Sequence, residues 1–131
     1  MKPYSIEDTL VEMLGDFIER PIYHSASTDT KALPFVLVET FTDELKIPGN
    51  DTWEYTVRFT LRANAHDWTR EQFCGGFADL VTAVKTITPR SLRLKAADFY
   101  TYTFYVRSIN EVEADEDEYK QSCECRLVVQ L

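Results

Sequence analysis

The sequence predicts a single α+β domain over residues 1–131, a mainly antiparallel sheet of four to five strands with two helices packed on it. Three observations lead there. Two segments, 5–20 and 69–87, repeat apolar residues at helical spacing. Between them, "DTWEYTVRFTLRANA" alternates strictly, which one buried face of an antiparallel strand requires. Near the end, two long β-rich segments bracket a dense run of carboxylates.

In the first segment, "SIEDTLVEMLGDFIER", residues Ile6, Leu10, Met13, Leu14, Phe17 and Ile18 form one stripe. Ser5 is read as N-cap, with Glu7 and Asp8 in the first turn. Arg20-Pro21 is read as the stop. "IYH" is a short candidate strand before the polar "SASTDTKA". "PFVLVETF" (34–41) is β-branched and aromatic and reads as a mostly buried strand. "TDELKIPGND" follows, with Pro48-Gly49 suited to a type II turn in an exposed loop.

The alternating segment divides into Trp53, Tyr55, Val57, Phe59 and Leu61 on a core face, and Glu54, Thr56, Arg58, Thr60 and Arg62 on a face for solvent or a partner. The second helix shows Phe73, Phe77, Leu80, Val81, Val84 and Ile87 as its stripe. Thr69 with Gln72 forms a capping box. Gly75-Gly76 inside it costs roughly 1 kcal/mol each in helix propensity, which implies close approach to a sheet or another chain. Pro89 is read as its end, and "SLRLK" as a short strand or extended linker. "FYTYTFYVRSINEV" (99–112) and "YKQSCECRLVVQL" (119–131) read as strands. The second puts Tyr119, Cys123, Cys125, Leu127, Val129 and Leu131 on one face.

With 44% hydrophobic and 13% aromatic residues, the 131-residue chain can bury a core without staples. Its net charge is -8, which opposes non-specific binding to nucleic acid or anionic lipid. The charge is uneven: residues 1–57 carry 4 basic and 11 acidic groups, 58–95 carry 7 and 3, and 96–131 carry 3 and 8. Head-to-tail stacking of copies fits this, and so does a solvated surface. Three cysteines leave an odd thiol and point to a reducing compartment. "SIEDTLVEML" is no signal-peptide core, and no apolar run reaches bilayer length, so the expectation is a soluble protein kept inside the cell, with no membrane partner.

Six carboxylates occupy eight positions at Glu111, Glu113, Asp115, Glu116, Asp117 and Glu118. A calcium loop starting at Asp115 would have Tyr119 fifth and Lys120 sixth, without the glycine for the sharp turn. Apolar strands flank the run, so a charged hairpin turn fits better than a metal cage or an unfolded arm. Cys123 and Cys125 lack the spacing of a zinc knuckle, and His24 and His66 would have to converge on them. Cys74 has no activating neighbour in sequence. Gly75-Gly76 lacks a phosphate-loop context, and His66-Asp67 reads as the lead-in to a helix. The aromatics of 99–106 have only Arg107 nearby for phosphate, so packing accounts for them better than base stacking. These readings yield no catalytic residue, no cofactor and no metal site.

The ordering resembles the tail terminator (tail completion) proteins of long-tailed bacteriophages. The similarity lies in the opening amphipathic helix, in "LPFVLVETFTDEL", and in the polar loop leading to "DTWEYTVRFTLRANA". The central helix and the closing acidic turn plus strand continue it. The resemblance implies a non-enzymatic virion protein of a phage or prophage, assembled in the bacterial host cytoplasm. It implies a homo-oligomeric ring, usually of six copies, that caps the tail tube and meets the head-side connector. Neighbouring neck proteins share related folds. On this reading DNA passes through without specific binding. The acids at 111–118 then line the lumen or its rim, or face outward to solvent. The loop with Asp43, Glu44, Lys46, Pro48, Asn50 and Asp51 is a candidate contact with the tube or the adjacent subunit. The alternative is a small acidic binding or inhibitor module that engages a basic partner protein.

Overall fold

The computed structural model describes residues 3–24, 33–43, 52–96 and 98–130. The elements run α1 (Pro3–Gly15), β1 (Ile22–His24), β2 (Phe35–Asp43), β3 (Thr52–Asn64), α2 (Arg70–Thr86), α3 (Pro89–Lys95), β4 (Tyr100–Ile109), β5 (Glu113–Ala114) and β6 (Glu118–Gln130). One six-stranded sheet has the order β1-β2-β3-β6-β4, with β5 paired to β6. β1 lies parallel to β2, and every other pairing is antiparallel. The class is therefore α+β as expected, with three helices and six strands among the described residues rather than two and four to five.

The extra helix is α3, where an extended "SLRLK" was expected. Seven residues are too few to show a periodic stripe. Pro89 does not merely end α2: it opens α3, where its missing N–H is no loss. Thr88 caps it, with Thr88 and Ser91 exchanging side-chain and backbone hydrogen bonds at 3.1 and 2.9 Å.

α1 begins two residues before the expected Ser5 cap and ends at Gly15 rather than Arg20. Its first turn consequently holds no carboxylate. The chain tightens as the Phe17 and Ile18 N–H groups both bond to the Leu14 carbonyl. That turn swings Phe17 outward to 61% exposure, away from the stripe it was expected to join. α2 follows the sequence closely. Thr69 caps it in a capping box with Gln72, and Phe73, Phe77, Leu80, Val81 and Val84 are buried, with Ile87 behind them.

Register aligns the core rows. Val38, Phe59 and Cys123 share one row, and Tyr55, Leu127 and Phe104 another. These side chains join Ile6, Leu10 and Leu14 of α1, the α2 stripe and Leu92 of α3 in a single core. β4 meets β6 with two register shifts, so that Tyr102 and Arg107 are extra residues against the partner strand. On the opposite sheet face, Thr52, Thr56 and Thr60 are buried beneath their neighbours, rather than facing solvent as simple alternation implies.

Candidate functional site

The acidic run is a hairpin connection between β5 and β6. Asp115 makes it: its Oδ1 accepts hydrogen bonds from the backbone N–H groups of Asp117 and Glu118, each at 2.8 Å. The Asp115 N–H donates in turn to the Glu118 carbonyl at 3.1 Å. A short side chain folding back on its own backbone is the usual reason aspartate holds a tight turn. The tip is also anchored to the end of β3, since the Ala65 N–H donates to the Asp117 carbonyl at 2.9 Å. Glu111, Glu113, Asp115, Glu116 and Asp117 are all exposed.

Glu118 differs from the other five. It is half-buried at the start of β6, opposite Asn64 and beside Arg62, which grips its carboxylate through Nε and, at 2.8 Å, through Nη2. The hydrogen bond to Glu118 holds the Arg62 guanidinium protonated even more firmly than usual. His66, on the turn after β3, reaches Asp117 at 3.4 Å rather than its sequence neighbour Asp67. Its own N–H is taken by the Asn64 side chain, consistent with a turn leading into α2.

The sheet face away from the helices continues this pattern. Arg58 pairs with Glu124 at 3.3 Å and Arg126 with Glu54 at 2.5 Å, each across the β3–β6 ladder. Arg58 also stands 4.7 Å over the Phe41 ring, and Arg62 lies 5.4 Å over Phe35. Arg107 donates to the Thr56 hydroxyl at 3.1 Å. Three cations of this face, Arg58, Arg62 and Arg126, are matched by carboxylates on a neighbouring strand, which weakens the field they present to a polyanion.

Apart from Phe41 beneath Arg58, the exposed large apolar groups fall on two surfaces. On β4, which no described strand pairs on its outer side, Tyr100, Tyr102, Tyr105 and Ile109 are each about half exposed. Tyr100 and Tyr102 meet edge-on at 5.0 Å, and Arg93 stands 5.0 Å over Tyr100. In the helical layer, Phe17 and Leu94 border one shallow depression with Met13. Beside Phe17, a groove of about 490 Å³ separates the 17–20 segment from α2, floored by Val36, Leu61 and Leu80.

Cys123 and Cys125 are free, buried thiols on the core face, while Cys74 is exposed on α2. A hydrogen bond with Cys123, together with burial, pushes the Cys125 thiol up. Among the described residues, no three His, Cys, Asp or Glu side chains are grouped to hold a metal ion. No described helix is long and apolar enough to cross a membrane. Of the loop expected to contact a tube or neighbour, Asp43 closes β2, and Glu44, Lys46, Pro48, Asn50 and Asp51 lie outside the described residues. The groove and the exposed pair Phe17 and Leu94 escaped the sequence, because they join segments from five parts of the chain. No protein-family model matches the chain, and no curated protein matches it in sequence.

Proposed function

We propose that this protein is a structural subunit of a phage or prophage tail, a tail terminator or related neck protein. It forms a ring that caps the tail tube and joins it to the head-side connector. One observation carries the reading: apolar groups stand exposed on two separate surfaces, the outer strand β4 and the Phe17–Leu94 region of the helical layer. A ring subunit has to meet both its neighbours and its axial partners, which takes more than one such surface. β4 is also a ten-residue outer strand whose only charge is Arg107, a poor guard against pairing with another chain.

The acidic hairpin supports the same role. Five exposed carboxylates are presented on and just before a turn fixed to β3, and such a rim repels DNA and lets it pass. Ring size is the test. Native mass spectrometry and sedimentation of the full chain, alone and with tail tubes, should give closed rings, six subunits being the expected number. A chain that stays monomeric at high concentration and leaves tubes uncapped sinks the proposal.

A further inference from the structure

We infer that the groove between the 17–20 segment and α2 is a self-association site, filled by the Arg90–Leu94 face of α3 from a second copy of this chain. The inference adds a specific contact to the ring reading and can stand without it. Leu94 is 81% exposed, more than any other large hydrophobic residue described. Arg90 lies four residues before it, on the same helical face, and is exposed. No other described residue forms an ion pair with Arg90.

The groove has the complementary chemistry. Its floor is apolar, formed by Val36, Leu61 and Leu80. Its α2 wall is apolar as well, because the hydroxyls of Thr82 and Thr86 turn back to bond the Ala78 and Ala83 carbonyls at 2.9 and 2.6 Å. Glu19 and Asp79 stand on its rim, exposed and in no ion pair among the described residues. The groove's one cation, Arg20, is engaged 4.7 Å over the Trp68 ring. An apolar knob beside a free cation thus faces an apolar hole beside two free carboxylates. Opposite charges placed this way set register and exclude other docking poses.

The occupant is a second copy because one chain carries both halves of the contact. Leu94 of the same chain cannot fill the groove: it borders a separate depression on the far side of Phe17. Knob and hole are different patches, so the contact is directional, as closure of a ring needs, and it also permits reciprocal exchange in a dimer.

Charge reversal tests it. Arg90→Asp and Asp79→Arg alter exposed positions, so each variant should melt within a few degrees of wild type. Each alone should weaken self-association by about tenfold or more, measured by sedimentation. The double variant, with the pair exchanged, should recover it, as should a mixture of the two single variants. Leu94→Asp should dissociate the assembly and not be rescued. If wild type forms rings and both single variants form them equally well, this contact is wrong and the ring reading survives. If wild type stops at a dimer that the single variants break and the double variant restores, the contact holds and the ring fails. A monomeric wild type at every concentration overturns both.

Discussion

The carboxylate of Glu7, on α1, accepts a hydrogen bond at 3.1 Å from the backbone N–H of Thr40, on β2. Glu7 is 1% exposed, so a carboxyl group has been taken into the core's margin, where it meets this backbone donor. β1 runs beside β2 only from Val36 to Val38, and the N–H of Thr40 lies just past its end. Glu7 thus serves where the short strand gives out, and it closes that edge of the sheet. Replacing Glu7 with Leu should cost about 1–3 kcal/mol, because the donor is left buried without an acceptor. Glu7→Gln keeps an acceptor and should lose less. Urea unfolding of the two variants, compared at equal m-value, decides it.

The adjacent glycines of α2 should respond oppositely to alanine. A Cβ at Gly75 meets nothing within 4 Å, so Gly75→Ala should stabilise by about 0.5–1 kcal/mol through helix propensity alone. At Gly76 the Cβ would come to 3.0 Å from Cζ3 of Trp68. That indole is held by Arg20 above it and Phe73 edge-on, so it cannot easily move. Gly76→Ala should therefore gain nothing or lose stability. The close approach foreseen for this pair is real at one glycine only, and it is to a side chain rather than to the sheet. Thermal melts of both variants give the sign.

Within the acidic hairpin, Asp115 should matter to folding, and the exposed Glu111, Glu113 and Glu116 should not. Asp115→Ala removes an acceptor of two backbone N–H groups and should destabilise by about 1 kcal/mol. Replacing Glu111, Glu113 and Glu116 together with Gln should leave stability unchanged, or raise it slightly at low salt by relieving repulsion. Equal losses from the two variants would show that the hairpin is not built on Asp115.

Thiol titration should find one accessible cysteine in the native state. Cys74 is exposed, whereas Cys123 and Cys125 are buried and Cys125 is held protonated by its partner and by burial. A disulfide-exchange reagent should consume one thiol in buffer and three in denaturant. Fast reaction of a second thiol in buffer would show that the β6 core opens readily.

What the sequence made legible was periodic. β3 and α2 were readable because each buries one face for many residues, and the Thr69–Gln72 box marked the start of α2 in four letters. α3 was not, since a seven-residue helix completes only two turns. Phe17 misled because the stripe of α1 continues in sequence after the helix has stopped at Gly15. The parallel pairing of β1 with β2 leaves no local mark, because it depends on where α1 returns the chain. The acidic hairpin was foreseen as a turn. Its internal division of labour, with Asp115 bound inward and Glu118 held by Arg62, depends on folded contacts that the run of six acids does not mark.

The two extra residues of β4 act as phase switches. Strict alternation from Thr101, which faces the core, would send Tyr105 and Arg107 inward and Phe104 and Val106 outward. Tyr102 shifts the phase by one, so Phe104 pairs in the Leu127 row and Val106 in the Cys125 row, both facing the core. Tyr105 then falls on the outer face, in the row of Arg126. Arg107 shifts it back, reaching across to Thr56 on the outer face while Ile109 returns to the row of Cys123. From Thr101 to Ile109 the strand uses nine residues against the seven of β6 from Cys123 to Val129, and its two extra residues leave the core-facing set in line with its partner. Deleting Tyr102 would therefore close the first bulge and leave Thr103 to Val106 on their present faces, with Phe104 still in the Leu127 row. Deleting Arg107 as well would close the second bulge and leave one regular ladder, with Ile109 still in the row of Cys123.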